Sequence, residues 1–188
     1  YIIEETSGDP DIPTKFTQFK SYFSTDQPIE IGAMAVHHIT QEMIEGKPKF
    51  TDFAKENNLQ AIFDECICIA HNSEFDVGML AKHGIEVKNP ICSKKVAYKL
   101  CPESERHNLQ FLRYDLELYK KETELLNPHD ALSDCVVLRN LFDHLFLKAH
   151  EKSLDPKEII DTMRKITERP LKLRTILFGK YKGETFEE

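Results

Sequence analysis

Two aspartates and one histidine have the residue types and spacing for hydrolytic chemistry. Asp76 and Asp134 each fall about one turn into a predicted helix, and carboxylates are the ligands that hard divalent cations prefer. His129 precedes Asp134 by five positions. In a regular helix this spacing separates the two by about 140°, so they could share a site only if His129 lies before the first turn. A carboxylate beside a titratable imidazole suits metal-assisted hydrolysis.

Both helix starts also have a purely structural interpretation. Asn72 or Ser73 could cap the helix that carries Asp76, whose charge would favour the positive end of that helix. Asp134 could likewise be an ordinary first-turn acid, with His129 on the surface. The residue types alone therefore leave a catalytic and a structural role open at both places.

A third polar cluster, VHHITQEM, lies earlier in the chain, at residues 36–43. Thr40 is predicted to be the N-cap of a short helix, without the glutamate that completes a capping box. His37 and His38 could be plain loop residues. By itself this cluster defines no site.

The elements that must position these clusters alternate between strand and helix. YIIEET and TKFTQFKSYF, on either side of the turn-forming SGDPDIP, predict a hairpin. The apolar run CICIA predicts a strand covered on both faces, and ligands gather outside the carboxyl ends of such strands. The periodic segment from Pro128 to His150 predicts the longest helix. This order favours an α/β domain at 1–152, followed by a C-terminal extension at 153–188.

The composition indicates a folded domain. Apolar residues make up 40% of the 188, with no apolar run near the roughly 18 residues of a membrane span. Five cysteines without a CxxC pair favour reduced thiols and a cytoplasmic protein. The formal charge of -7 argues against binding nucleic acid by bulk charge. Residues 164–182, however, hold seven basic side chains against Glu168 alone, which is either a solvated face or a phosphate-contacting element.

In this order, the three clusters resemble the 3′–5′ exonuclease family typified by the proofreading subunit of bacterial DNA polymerase III, the histidine-containing branch of the DEDD superfamily. The family's V-H-G-I-T loop is matched at residues 36–40, except that His38 replaces the glycine. The family pattern A-H-N-x-x-F-D is matched at Ala70, His71, Asn72, Phe75 and Asp76. The pattern H-x-A-x-x-D is matched at His129, Ala131 and Asp134. The resemblance covers roughly residues 1–147.

The family's first motif, D-x-E-T, is the point of departure, because it supplies two of four acidic metal ligands. If Glu5 and Thr6 are aligned with it, Ile3 stands where the aspartate is expected. Aligning YIIEET with the second strand fits the spacing better. We therefore expect the first strand to be missing from this chain, which begins with Tyr1 rather than Met, and the enzyme to be impaired as a result.

The resemblance implies a ribonuclease H-like fold, with a mixed central sheet flanked by helices. It implies two divalent ions, Mg²⁺ or Mn²⁺, held in part by Asp76 and Asp134, with neutral His129 as general base. The unpaired 3′-terminal nucleotide would be held by stacking and apolar contacts. The candidate residues that bind it are His37, Ile39, Thr40, Asn72 and Phe75.

The implied activity is hydrolysis of nucleotides from the 3′ end of single-stranded DNA in proofreading or repair, with RNA as a further substrate and a DNA polymerase subunit as a partner. A nuclease-inactive nucleic-acid-binding module of the same fold is the alternative. The segment FGKYKG at 178–183 resembles a short module appended to some exonucleases of this kind. Lys180 and Lys182 are candidate phosphate contacts there, unless the segment is a hairpin packed on the domain.

Two other functions have weaker support. An HD-type phosphohydrolase built on His129 and Asp130 would need further histidines and an aspartate in helices, which are hard to place. A zinc site from Cys66 and Cys68, which alternation puts on one face of a strand, lacks a complementary ligand pair.

Overall fold

The structure is a computed structural model, and it describes residues 2–5, 15–122, 130–151, 155–171 and 180. Its strands are β1 Ile2–Glu5, β2 Lys15–Gln18, β3 Cys68–Ala70 and β4 Pro90–Cys92. Its α-helices are α1 Ile31–His37, α2 Gln41–Ile44, α3 Phe50–Glu56, α4 Leu59–Glu65, α5 Ser73–Lys82, α6 Ser93–Leu100, α7 Leu109–Asp115, α8 Ala131–His150 and α9 Pro156–Glu168. A 3₁₀ helix at Leu118–Lys121 follows α7.

The predicted N-terminal hairpin is confirmed. β1 and β2 run antiparallel, with Ile2 opposite Gln18, while the predicted turn between them lies outside the described residues. Directly after β2, the ring of Phe19 stacks on that of Phe53 in α3, with centroids 4.9 Å apart. The hairpin is therefore followed at once by an aromatic contact with the helical part of the molecule.

β3 and β4 form a parallel pair, and the polar residues 71–76 follow directly after β3. Ala70 pairs with Cys92 at the carboxyl ends of both strands. Because parallel neighbours require a crossover connection, α5 runs between them, and α5 and α6 begin at the same edge. The described strands thus form two two-stranded sheets, one antiparallel and one parallel, and both strand senses predicted for the α/β fold are present.

The strand predicted over CICIA is shorter than expected. Cys66 is exposed and Ile67 is 40% exposed, so only residues 68–70 form β3. The residues just before this run, which carried no separate prediction, form α4. The prediction of a strand covered on both faces was wrong for the first two residues of the run, because α4 extends to Glu65 and leaves them in the connection.

The main core lies between β4 and helices α6 to α9. Residues of the same face recur three or four positions apart along α8, as helical geometry requires. The core members include Ile91, Val96, Leu112, Leu141, Leu145, Ile159 and Met163, all at most 1% exposed. Since α9 contributes two of them, it packs into the same core as the helices before it. The boundary placed at residue 152 stays a prediction.

A second, smaller core cluster joins α3, α4 and the loop after α5. Its buried members are Ala54, Leu59 and Ile85. α5 ends at Lys82, and Gly84 follows it with a positive φ of 80°. Glycine adopts this backbone conformation without the steric cost of a Cβ atom.

The start of α9 was not predicted, although its sequence contains a complete capping box. The Asp155 carboxylate accepts from the backbone N–H of Glu158, whose side chain in turn accepts from the N–H of Asp155. Pro156 occupies the first turn, where a missing N–H costs nothing. None of the helices in the described residues is long and apolar enough to cross a membrane.

Candidate active site

Asp76 lies at the carboxyl edge of the parallel strand pair. β3 ends at Ala70 and α5 begins at Ser73, so Asp76 falls in the first turn of α5. The free N–H groups of a helix start favour an anion there. Asp76 is exposed, yet partial burial of its carboxyl group raises the pKa above the ordinary value, partly offset by a backbone hydrogen bond. Such a carboxylate gains from pairing with a cation.

The histidine of the A-H-N sequence has a structural role. Nε2 of His71 lies 2.9 Å from the carbonyl oxygen of His107, and Nδ1 lies 2.9 Å from Oγ of Ser93. Because a carbonyl can only accept, Nε2 carries a proton, and in the neutral ring Nδ1 is then the acceptor for the Ser93 hydroxyl. Burial lowers the pKa of His71 to about 4, which keeps the ring neutral. The imidazole thus joins the end of β3, the start of α6 and the loop before α7.

The first turn of α5 is also tied to the last helix. Nζ of Lys95 lies 2.9 Å from Oε1 of Glu74 and donates to the carbonyl oxygen of Thr167 at 2.9 Å. The Thr167 hydroxyl accepts from the backbone N–H of Cys92, also at 2.9 Å. The end of α9 is therefore fixed beside the strand ends, next to the turn that carries Asp76.

Asp134 lies in the first turn of α8, behind a fixed N-cap. The Asp130 carboxylate accepts from the backbone N–H of Ser133 at 3.1 Å and forms an ion pair with Lys20. The hydrogen bond from Lys20 lowers the pKa of Asp130. Asp134 itself accepts a hydrogen bond at Oδ1 from Nε2 of Gln110 on α7, at 2.7 Å. Asp130 thus acts as the N-cap of α8, and the carboxylate of Asp134 is hydrogen-bonded to a residue of α7.

The negative charges of Asp76 and Asp134 both affect the pKa of the Cys135 thiol. Burial raises the pKa of Cys135 on α8, and the negative charges of Asp134 and Asp76 raise it further. Burial also raises the pKa of Cys68 in β3 to about 11, with the charge of Asp76 adding to it. Asp76 and Asp134, at helix starts far apart in sequence, thus both act to raise the pKa of this thiol.

Two predicted substrate contacts are accessible to solvent on α5. The Phe75 side chain is 68% exposed, so it is not a core contact of the helix. Asn72 is exposed and adopts a left-handed backbone conformation with φ 74°. Although it occupies the N-cap position, its side chain makes no capping hydrogen bond. Asn72 therefore does not cap the helix through its side chain, and Phe75 is not buried in the core.

The predicted loop at residues 37–40 joins α1 to α2. Nδ1 of His37 accepts from the backbone N–H of Ile39 at 3.0 Å, and both residues are half-buried. Thr40 is the N-cap of α2 as predicted, but its side chain hydrogen-bonds to Glu42 rather than to the helix backbone, which lowers the pKa of Glu42. His38 takes a left-handed conformation with φ 56°, which explains why glycine is suited to this position.

Some predicted site residues have no described geometry. His129, the predicted general base, and Lys182 lie outside the described residues. Lys180 is described as an exposed residue in a turn. The structure therefore leaves the roles proposed for these three side chains as predictions.

The carboxylates of Asp76 and Asp134 are ligands of the type that hard divalent cations prefer. Mg²⁺ is commonly bound through one or two carboxylates, with water and substrate phosphate completing its shell, and Asp76 and Asp134 are of this type. Within the described ranges, no group of three or more His, Cys, Asp or Glu residues could hold a metal ion. The zinc alternative built on Cys66 and Cys68 loses support for the same reason, since these two cysteines belong to no such group among the described residues.

Comparison with protein families identifies the class of protein. The RNase_T family, described as Exonuclease, matches residues 12–142, which is more than half of the chain. The matched range contains α5 with Asp76 and the first part of α8 with Asp134. The chain belongs to this exonuclease family.

Individual relatives agree with this assignment. Exodeoxyribonuclease 10 of Escherichia coli K12 is 28% identical over 163 residues, which cover 87% of this chain and 67% of that protein. The DNA polymerase III subunit epsilon of Buchnera aphidicola subsp. Acyrthosiphon pisum is 30% identical over 134 residues, or 66% of this chain and 54% of that protein. The structure of exonuclease X in complex with 5′ overhanging duplex DNA matches with a TM-score of 0.58 and 23% identity, over 83% of this chain and 82% of that one. This likeness confirms the α/β, ribonuclease H-like fold.

Sequence reasoning missed two residues that touch this region. Cys135 directly follows Asp134 and was given no role in the predicted site. Gln110 lies 24 positions before Asp134, and no local pattern connects the two. The first could have been found by its place in the third motif, whereas the second required the packing of α7 on α8.

Proposed function

We propose that the chain is the catalytic part of a metal-dependent 3′–5′ exonuclease that hydrolyses nucleotides from the 3′ end of DNA, in proofreading or repair. The observation that carries the proposal is that Asp76 and Asp134 lie in the first turns of α5 and α8, both inside the Exonuclease family match at residues 12–142. Two such carboxylates can bind a divalent cation and, through it, a phosphodiester.

Each proposed catalytic residue has a defined task. Asp76 and Asp134 would hold the cations, and His129 would take a proton from the attacking water in its neutral form. His129 precedes Asp130, the N-cap of α8, so it lies before the first regular turn in sequence, which is the condition for sharing a site with Asp134. The chemistry that bound Mg²⁺ or Mn²⁺ supplies is a water of lowered pKa and neutralisation of the departing 3′ oxygen.

The terminal nucleotide would be held by the exposed side chains near this edge. The Phe75 ring is accessible enough to stack on a base, and Asn72 adds an amide for hydrogen bonding. The loop formed by His37, Ile39 and Thr40 would close the pocket. Lys180 and Lys182 would contact phosphates farther along the strand.

DNA is the substrate that the similarities favour. The Escherichia coli relative is named an exodeoxyribonuclease, and the structural neighbour is a complex with duplex DNA that has a 5′ overhang. RNA is the second substrate to be tested. The similarity to epsilon subunits of DNA polymerase III supports a polymerase subunit as partner, and a cytoplasmic location remains a prediction.

One observation favours the second function, a nuclease-inactive module that binds nucleic acid. Within the described residues, Asp76 and Asp134 are not joined by a third potential ligand. A module of this kind would retain affinity for single-stranded DNA and would release no nucleotides, with or without divalent cations.

A digestion experiment separates the two functions. The substrates are a 5′-labelled single strand and a duplex with a recessed 3′ end, each with Mg²⁺, Mn²⁺ or a chelator. Because the chain has no D-x-E-T sequence, we expect slow stepwise 3′ shortening that requires the cation and that falls at least about 100-fold further in Asp76→Asn and Asp134→Asn. The matched control is Asp143→Asn, which changes another aspartate of α8. Binding without shortening would establish the module, and unchanged digestion by both site variants would refute the proposed site.

A further inference from the structure

Gln110 lies between a predicted catalytic carboxylate and a buried cation. Its Nε2 atom donates to Oδ1 of Asp134 at 2.7 Å, while its Oε1 atom accepts from Nη1 of Arg113 at 3.3 Å. Both ends of the side-chain amide are therefore used, one toward α8 and one within α7. A side chain held at both ends has little freedom to rotate.

Arg113 is itself fixed by a buried, two-point ion pair. Nε of Arg113 lies 2.8 Å from Oε1 of Glu122, and Nη2 lies 2.5 Å from Oε2. The side chains of Arg113 and Glu122 are only 10% and 7% exposed. Two parallel N–H···O bonds set the plane of the guanidinium group as well as its position.

This arrangement determines which way the amide of Gln110 faces. With the observed orientation, the NH₂ group meets the Asp134 carboxylate and the oxygen meets the guanidinium of Arg113. A flipped amide would place oxygen against carboxylate and NH₂ against guanidinium, so both contacts would become repulsive. Glu122 and Arg113 thus enforce a donor, rather than an acceptor, in front of Asp134.

We propose that Gln110 is a positioning residue of the proposed nuclease site, one that holds Oδ1 of Asp134 so that Oδ2 is the oxygen presented to a cation or substrate. The inference rests on the proposed function. Among the described residues, no other side chain is recorded as a hydrogen-bond donor to the Asp134 carboxylate. The orientation of that carboxylate therefore depends on Gln110, and through it on Arg113.

A simpler role would be to fasten α7 to α8. The two roles differ in what a substitution changes. A fastening contact contributes to the free energy of unfolding, and its loss leaves a folded molecule with ordinary site properties. A positioning contact changes cation affinity and turnover, and its loss leaves the binding of DNA and the unfolding midpoint almost unchanged.

The test uses the full chain and two substitutions at one position. Gln110→Met keeps the length of the side chain but cannot donate, and Gln110→Glu keeps the shape but places an acceptor against Asp134. Gln27→Met, at an exposed glutamine, is the matched control. Mn²⁺ affinity is measured by electron paramagnetic resonance, kcat and KM by digestion of labelled DNA, and folding by thermal melting.

We expect both Gln110 variants to lose Mn²⁺ affinity and kcat by about 10- to 100-fold, as is usual when the partner of a metal-binding residue is removed. KM for DNA should stay within about twofold, and the control should behave as the unmodified chain. The inference alone is overturned if Asp134→Asn loses affinity and turnover while either folded Gln110 variant retains both. If the unmodified chain neither binds Mn²⁺ nor digests DNA, the proposed function and this inference fall together.

Discussion

The hydroxyl of Ser93 donates a hydrogen bond to Nδ1 of His71 over 2.9 Å, and this contact joins the starts of the two helices that follow the parallel strands. The opposite nitrogen of the ring donates to the backbone of His107. Burial of the ring keeps the imidazole neutral in this contact. A ring that must remain neutral makes the fold sensitive to acid.

We expect the free energy of unfolding to fall by about 2 kcal/mol between pH 7 and pH 5 because of His71 alone. Its pKa is lowered by burial to about 4 in the folded chain, against about 6.5 when unfolded. Between these values the unfolded state binds the extra proton, so stability drops as the pH falls through 6.5 and levels off below 4. Urea denaturation at both pH values measures the effect. In His71→Gln this part of the pH dependence should vanish, and an unchanged profile would contradict the prediction.

The reactivity of the Cys135 thiol should depend on the charge of Asp76. The negative charge of Asp76 helps to raise the pKa of this thiol, and only the thiolate is alkylated rapidly. Asp76→Asn should therefore speed the reaction of Cys135 with iodoacetamide, by about threefold for each half-unit of pKa. Exposed Cys66 serves as internal reference in mass spectrometry. Equal rates in the two proteins would show that Asp76 does not face Cys135.

Replacing His38 by glycine should stabilise the chain. His38 has a φ of 56°, a conformation that costs an L-residue about 1–2 kcal/mol, and the extra freedom of glycine when unfolded offsets about 0.5–1 kcal/mol of that. We expect His38→Gly to raise the free energy of unfolding by about 0.5 kcal/mol. His37→Gly, at the last residue of α1, is the control and should lower it by about 1 kcal/mol. Thermal melts that rank the two variants the other way would oppose this explanation.

Breaking the ion pair of Arg113 and Glu122 should lower the free energy of unfolding strongly, whereas replacing both residues with apolar ones should lower it only slightly. Arg113→Met leaves the Glu122 carboxylate, only 7% exposed, without its partner, so we expect a loss of about 3–5 kcal/mol in the free energy of unfolding. Adding Glu122→Met removes the buried charge and should restore most of the loss. Urea titrations of the single and double variants measure both values. A single variant within about 1 kcal/mol of the unmodified chain would mean that water reaches the pair.

The sequence predicts those parts of the site that depend on local signals. The polar cluster after the apolar run located the turn between Ala70 and Ser73, and the spacing of α8 located Asp134. Gly84, two residues after the end of α5, adopts a backbone conformation that other residues avoid. Each of these features is determined by residues within a few positions of one another.

The remaining features depend on packing or on competing signals. α4 was not predicted because it ends directly before the apolar run that contains β3. α9 was missed although Asp155 and Glu158 form a capping box, since that stretch was interpreted as a boundary. The contact of Gln110 with Asp134 joins two helices separated by a segment without described geometry, and no periodicity can reveal such a pair.

The bond from Lys95 to the end of α9 shortens the path between the C-terminal basic segment and the proposed site. Thr167, which accepts that bond, lies two residues before Arg169, and Glu74, the other partner of Lys95, lies two residues before Asp76. The ammonium group of Lys95 thus connects the end of α9 with the turn that carries a proposed cation ligand. A movement of the chain just beyond α9 should therefore shift that turn, and a movement of the turn should shift the end of α9.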